Sequence, residues 1–368
     1  MSQTKPFIIF VFMNAGNIYL SKEQRLNAVQ RLTALWAFTE SGLGGIMHAL
    51  QIPFTGLLVG GMAVIMISLI ADISGNNYKP VLKSAVIVLI VKAMVSPYTP
   101  FPAYIAVAFQ AALGYGLFNL LKVNFLSIVL LSTIAMLESA IQKLLILTLF
   151  FGESLWKAMD GMMAFLANQF GSNISNGSYW IVGIYLLIYL AGGFFIAWLA
   201  LRTIKSFKTE NSHFILNAAA ENNIAFIKAK KSAGKNDYKK LWILILLMIA
   251  VSSALFVFAD DYKEGWLAVA KTISWTTSAI LIWFMLIGPL LTKAIQKLLQ
   301  KKESRYSDEV LHTLSFLPVL KQLAALAWQQ SKLYLGFKRW SFFFACLINT
   351  ALTYSEPAST EIPTNKPL

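Results

Sequence analysis

The run "HALQIPFTGLLVGGMAVIMISLIAD", His48 to Asp72, carries no charged residue from Ala49 to Ala71. That reaches the roughly 20 apolar residues an α-helix needs to cross about 30 Å of hydrocarbon. Pro53 ends one helix and opens the next, because it lacks an amide proton and suits a first turn. Gly56, Gly60 and Gly61 then lie at the spacing that lets two helix backbones approach closely where lipid supplies no hydrophobic drive. The stretch reads as one transmembrane helix packed tightly inside a bundle.

The rest of the chain agrees. Of 368 residues, 57% are hydrophobic and 13% charged, and the mean hydropathy is +0.62; soluble domains are about 45–50% apolar. No alternating strand pattern of about ten residues repeats, so the spans are helical. The expected fold is an all-α polytopic membrane protein with about nine spans: 28–50, 53–72, 80–96, 101–122, 125–151, 179–201, 241–259, 266–291 and 338–353. Segment 152–178 is amphipathic and fits the membrane interface. Cys346, the lone cysteine, has no partner for an internal disulfide.

A net charge of +14 raises nucleic acid as a partner. The basic residues instead gather between apolar segments, as positive-inside topology requires, and no nucleic-acid partner is expected. Arg25, Arg31, Lys79, Lys83 and Lys122 fall on one side by alternation of the spans, and that side is assigned to the cytoplasm. The loop 202–240 is strongly basic and divides the chain. Residues 1–24 form an N-terminal interfacial segment, 25–201 a six-span half, 241–353 a second membrane half, and 354–368 a Pro- and Thr-rich disordered tail.

Ionisable residues within spans are costly and face the bundle interior or a pathway. Glu40, Lys92, Glu138 and Lys143 qualify, with His48 and Gln110 as milder cases. Glu138 and Lys143 are five residues apart and do not stack on one helical face, so one or both should pair with another helix, structurally or around a ligand. Lys92 can alternatively snorkel to the interface. In "SPYTPFP", three prolines preclude a regular helix, so this outer connection caps a cavity or forms an aromatic belt; Tyr98, Tyr104 and Gln110 supply a polar rim.

Near the C-terminus, "SDEVLHTLSFLPVLKQLAALAWQQSK" (307–332) is apolar but reads as too polar to cross a bilayer. Val310, Leu314, Leu317, Leu320 and Ala324 make one helical face. Ser307 reads as an N-cap ahead of Asp308 and Glu309, and Pro318 should kink or divide the helix. With 292–302 it forms an amphipathic layer beneath the spans, either a solvated skirt or a docking surface.

Two resemblances follow from these segments. Residues 25–201, with the "IPFTGLLVGGMAVIMISLIAD" run and the outer "SPYTPFP" element, resemble the substrate-binding component of energy-coupling factor (ECF) transporters. "AKTISWTTSAILIWFMLIGPLLTKAIQKLLQKK" followed by "EVLHTLSFLPVLKQLAALAWQQSK" is similar to the coupling component of the same family. The resemblance implies a vitamin or other small metabolite as substrate, held by Glu40, His48, Lys92, Tyr98, Tyr104, Gln110 and Glu138. It also implies a cytosolic P-loop NTPase partner docked through Leu317, Pro318, Gln329, Lys332 and Arg339. The family's Ala-Arg-Gly-like coupling motif is absent here; the matching end reads Ala327 to Lys332. The sequence holds no G-x-x-x-x-G-K-[ST], so ATP hydrolysis falls to the partner. No cofactor, metal site or catalytic residue is expected, and the implied location is a bacterial inner membrane. An ion-gradient-driven transporter, motivated by Glu40 and Glu138, and a membrane scaffold are the alternatives.

Overall fold

The computed structural model describes residues 22–44, 54–96, 99, 101–171, 176–208, 245–246, 248–250, 253 and 262–354. Every element among them is helical: α1 (Lys22–Phe38), α2 (Thr55–Ser74), α3 (Lys79–Val95), α4 (Phe101–Leu121), α5 (Phe125–Phe151), α6 (Glu153–Gln169), α7 (Gly177–Lys208), α8 (Tyr262–Ile282), α9 (Gly288–Glu303), α10 (Ser307–Ser331) and α11 (Gly336–Thr353). Two π-helical segments, Thr39–Leu43 and Trp283–Ile287, continue α1 and join α8 to α9. The expected span 241–259 falls mostly outside the described residues.

Six of these stretches are long and apolar enough to cross a membrane, including Thr55–Ser74, Phe101–Leu121, Phe125–Phe151 and Gly177–Lys205. Local chemistry sets their ends. Asn124 caps α5 by accepting from the Ser127 amide while the Ser127 hydroxyl accepts from the Asn124 amide, and Gly152 closes the helix at φ +61°. Pro80 sits in the first turn of α3, where no amide bond is lost.

Side-chain register shows α1, α3, α2, α4, α5 and α7 to be an up-and-down bundle. Thr33 bonds Ser84 at 2.6 Å and Glu40 meets Lys92, so α1 and α3 run parallel. Gly114 faces Leu131 and the Gln142 amide donates to the Pro102 carbonyl, so α4 and α5 run antiparallel. Ser132 donates to the Gly193 carbonyl at 2.6 Å where α5 crosses α7. Gly193 permits this crossing, since a Cβ there would stand 3.0 Å from the Thr133 Cα. Arg31, Lys79, Lys83 and Lys122 gather at one end of the bundle, called here the basic end. The starts of α2, α4 and α7 define the opposite end. Helix α2 is the central strut, buried from Gly60 to Ala71.

The C-terminal helices do not form a separate layer. Leu320, Leu323 and Ala327 of α10 and Phe343, Leu347 and Ile348 of α11 belong to the same buried core as Leu32 and Leu35 of α1. Arg31 donates to the Leu352 carbonyl at 2.6 Å, and Lys83 meets Glu309 at 2.5 Å. The 202–240 boundary divides the chain but not this core.

Four expectations for α10 are corrected. It is long and apolar enough to cross a membrane, with mean hydropathy 1.4 over its best window. It runs unbroken through Pro318, because the single missing amide bond is outweighed by packing along its whole length. Ser307 begins the helix without capping it; Tyr306 holds the cap position and no side chain bonds the first turn. The buried stripe is Val310, Thr313, Phe316, Leu320, Leu323 and Ala327, and Leu314, Leu317 and Ala324 only flank it, since α10 wedges between α1 and α11. The basic segment 292–302 is the end of a continuous helical rod, Gly265–Lys301, whose 37 residues exceed the length that hydrocarbon requires.

Candidate functional site

The buried ionisable side chains of the bundle, Glu40 and Lys92, lie away from the basic end. Glu40 lies in the π segment after α1, a widened turn of the kind that recurs at functional positions. There its carboxylate accepts from Lys92 Nζ at 2.7 Å, and both side chains are 5% exposed. Lys92 sits in the last turn of α3, where a cation complements the helix dipole. Its ammonium lies 5.9 Å from the centre of the Tyr104 ring and 3.5 Å from the Ala103 carbonyl. The Lys92 side chain is thus buried and paired, not snorkelled.

Deeper in the bundle, Gln110 of α4 is 2% exposed and stands beside Gly60 of α2. A Cβ at Gly60 would come 3.0 Å from its Nε2 and 3.2 Å from the Met136 methyl; one at Gly56 would meet Ser139 and Tyr189. Glycine at these positions therefore makes room for polar and flexible side chains as well as for close backbone packing. Tyr189 packs at a tilt against Tyr185, 5.0 Å between ring centres, and against Phe54 at 6.0 Å. The α4–α5 register places Glu138, at the middle of α5, opposite residues 106–107 and so about one helical turn from Gln110.

Several of these groups lack partners. Among the described residues, five buried side-chain polar atoms have none: Trp36 Nε1, Ser41 Oγ, Gln110 Oε1, Glu138 Oε2 and Thr276 Oγ1; the buried Tyr104 and Tyr185 hydroxyls face Thr99 and Tyr189. All but Thr276 belong to the N-terminal bundle. Such groups are rare in folded proteins because each forfeits its water without compensation.

Of the residues singled out from sequence, Glu40, Lys92 and Tyr104 come together, and Gln110 and Glu138 lie farther into the bundle. His48 and Tyr98 lie outside the described residues. The expectation that Glu138 or Lys143 pairs with another helix is corrected: Glu138 Oε2 is unpartnered and Lys143 is exposed, because the 500° between them turns Lys143 away from the bundle. Trp36, Ser41, Ser139, Tyr185 and Tyr189 were missed. The pair Tyr185 and Tyr189 was legible as two polar rings at i,i+4 on one face of an apolar span.

On the C-terminal helices, Pro318, Gln329 and Lys332 are exposed on α10, and Leu317 packs beside the core. The Arg339 guanidinium rests 4.3 Å over the Trp328 ring and its Nε lies 3.5 Å from Ser331 Oγ. Leu333 and Leu335 in the following turn are 86% and 87% exposed. A cleft of about 230 Å³ opens nearer the basic end between α1 and α10, lined by Asn27, Gln30, Arg31, His312 and Phe316.

Fold and composition define the class: an all-α integral membrane protein with several membrane-spanning helices. Comparison with protein-family models, with curated proteins and with solved structures found no match.

Proposed function

We propose that this chain is the membrane subunit of an uptake system in a bacterial inner membrane. The N-terminal bundle binds a vitamin or other small metabolite from outside, and the C-terminal helices couple its release to a separate cytosolic NTPase. The observation that carries the reading is the set of buried polar atoms without partners away from the basic end, Gln110 Oε1 and Glu138 Oε2 among them. A membrane interior holds such groups at a cost of roughly 1–3 kcal/mol each unless something else satisfies them. With the basic end in the cytoplasm, they lie in the half of the bundle nearer the exterior, where an importer meets its substrate.

Coupling is assigned to α10 and the start of α11, through Leu317, Pro318, Gln329, Lys332 and Arg339. Support comes from the contact of α10 with α1 and α3, the helices that bear Glu40 and Lys92. A push on α10 is therefore transmitted to the polar site through packed side chains. The ECF-type resemblance belongs to this proposal.

Mass spectrometry of small molecules retained through purification in mild detergent tests the binding role. A stoichiometric metabolite is expected, and an empty protein refutes the role. Recovery of an NTPase with the intact chain from native membranes tests coupling. A second reading, an ion-gradient-driven transporter, is favoured by Glu138, an intramembrane carboxyl without a partner. It requires uptake that collapses with the ion gradient and survives ATP depletion.

A further inference from the structure

The charge balance of the polar interior indicates what chemistry it takes. Glu40 is matched by Lys92. The other ion pairs among the described residues are Lys83 with Glu309 and Lys157 with Glu153, so no cation compensates Glu138. Among the described residues, the bundle interior thus carries one unmatched carboxyl group. Its hydrogen-bonding balance leans the same way: Gln110 Oε1 is an acceptor, an ionised Glu138 Oε2 is another, and the Tyr104 and Tyr185 hydroxyls can take either role.

Aromatic rings add a third feature of the same sign. Tyr104 already stands at cation–π distance from the Lys92 ammonium, and Tyr185, Tyr189 and Phe54 make a contiguous ring cluster beside Ser139. Ring faces carry negative electrostatic potential and attract organic cations. A hard metal ion fits less well, since it asks for six or so oxygen ligands and one carboxylate is at hand. Met136 fills the space beside Gln110 and Gly60, and its unbranched thioether can turn aside to admit an occupant.

We infer that the site takes a small organic monocation, an ammonium-bearing compound whose charge Glu138 meets, whose N–H groups Gln110 accepts and whose body lies against the tyrosines. This rests on the binding role proposed above and narrows it to a substrate class.

The test uses the full chain in nanodiscs, titrated with benzylammonium, benzyl alcohol and benzoate, three probes of similar shape and different charge, with tryptophan fluorescence as the readout. Small molecules co-purifying in mild detergent are identified in parallel. Benzylammonium is expected to bind about tenfold or more tighter than either other probe. That preference should disappear in Glu138→Gln and persist in Glu138→Asp, and the co-purifying compound should be a cation. A site that prefers benzoate or benzyl alcohol, a Glu138→Gln protein that keeps the preference, or a retained anion or neutral compound overturns the cation inference and leaves the binding role standing. No saturable binding of any probe, together with an empty co-purified pool, removes the binding role and this inference with it.

Discussion

The buried Glu40–Lys92 pair gives the sharpest energetic prediction. At 2.7 Å, and with an effective dielectric constant of about 20, the attraction is about 6 kcal/mol. Desolvating two ions that are each 5% exposed costs several kcal/mol apiece, so the net contribution of the intact pair is small. Removing one partner is different, because the other charge stays buried with nothing opposite it. Lys92→Met and Glu40→Gln should each lose about 3–5 kcal/mol, whereas the double variant should return to within about 2 kcal/mol of the parent. A double-mutant cycle on reversible unfolding in mixed micelles measures this, and the expected coupling energy is at least about 4 kcal/mol. Single variants within about 0.5 kcal/mol of the parent, adding without coupling, would show that the pair is not formed in the folded protein.

Three further outcomes are expected. Gly193→Ala should destabilise by about 1–3 kcal/mol, since its Cβ meets the Thr133 backbone and cannot be relieved by a rotamer change, whereas Gly116→Ala, with open space around it, should be neutral or slightly stabilising; thermal unfolding of the two variants checks the contrast. Lys83→Met should cost no more than about 1 kcal/mol, because the Lys83 and Glu309 side chains are 45% and 26% exposed, and 0.5 M salt, approximately, should erase the difference from the parent by screening. Arg31→Met removes the donor that ties α1 to the last carbonyls of α11, at about 1.5–3 kcal/mol. Amide exchange in the final turn of α11 should rise in that variant, and unchanged protection there would contradict the tie.

The spans were legible where apolar length and terminal chemistry coincide. Asn124 and Gly152 bracket α5 at the residues expected from the sequence. Where a helix end has no such marker, prediction drifted: α7 continues to Lys208, past the expected end at 201, because its last turns stay helical through basic residues that tolerate the interface. At α10 the periodicity was read correctly as helical and its face was rotated, since a helix clamped between two neighbours buries a wider arc than one lying on a surface. Pro318 does not divide the helix: one proline removes one hydrogen bond, and the core contacts of Leu320, Leu323 and Ala327 hold the helix through it.

The candidate site divides along the same line. Glu40, Lys92, Gln110 and Glu138 announce themselves, because an ionisable or amide group within an apolar span is expensive wherever it points. Their partners are set by register between helices distant in sequence, which periodicity within one helix cannot report. That is why Lys92 pairs with Glu40 across 52 residues while Glu138, near Lys143 in the chain, pairs with neither it nor any other cation among the described residues. Composition and apolar run length therefore determined that this protein is a helical membrane protein, since transfer into lipid depends on the segment alone. Which polar atoms are satisfied and which await a partner was decided by tertiary packing, because a hydrogen bond needs two groups within about 3 Å and the chain order does not contain that distance.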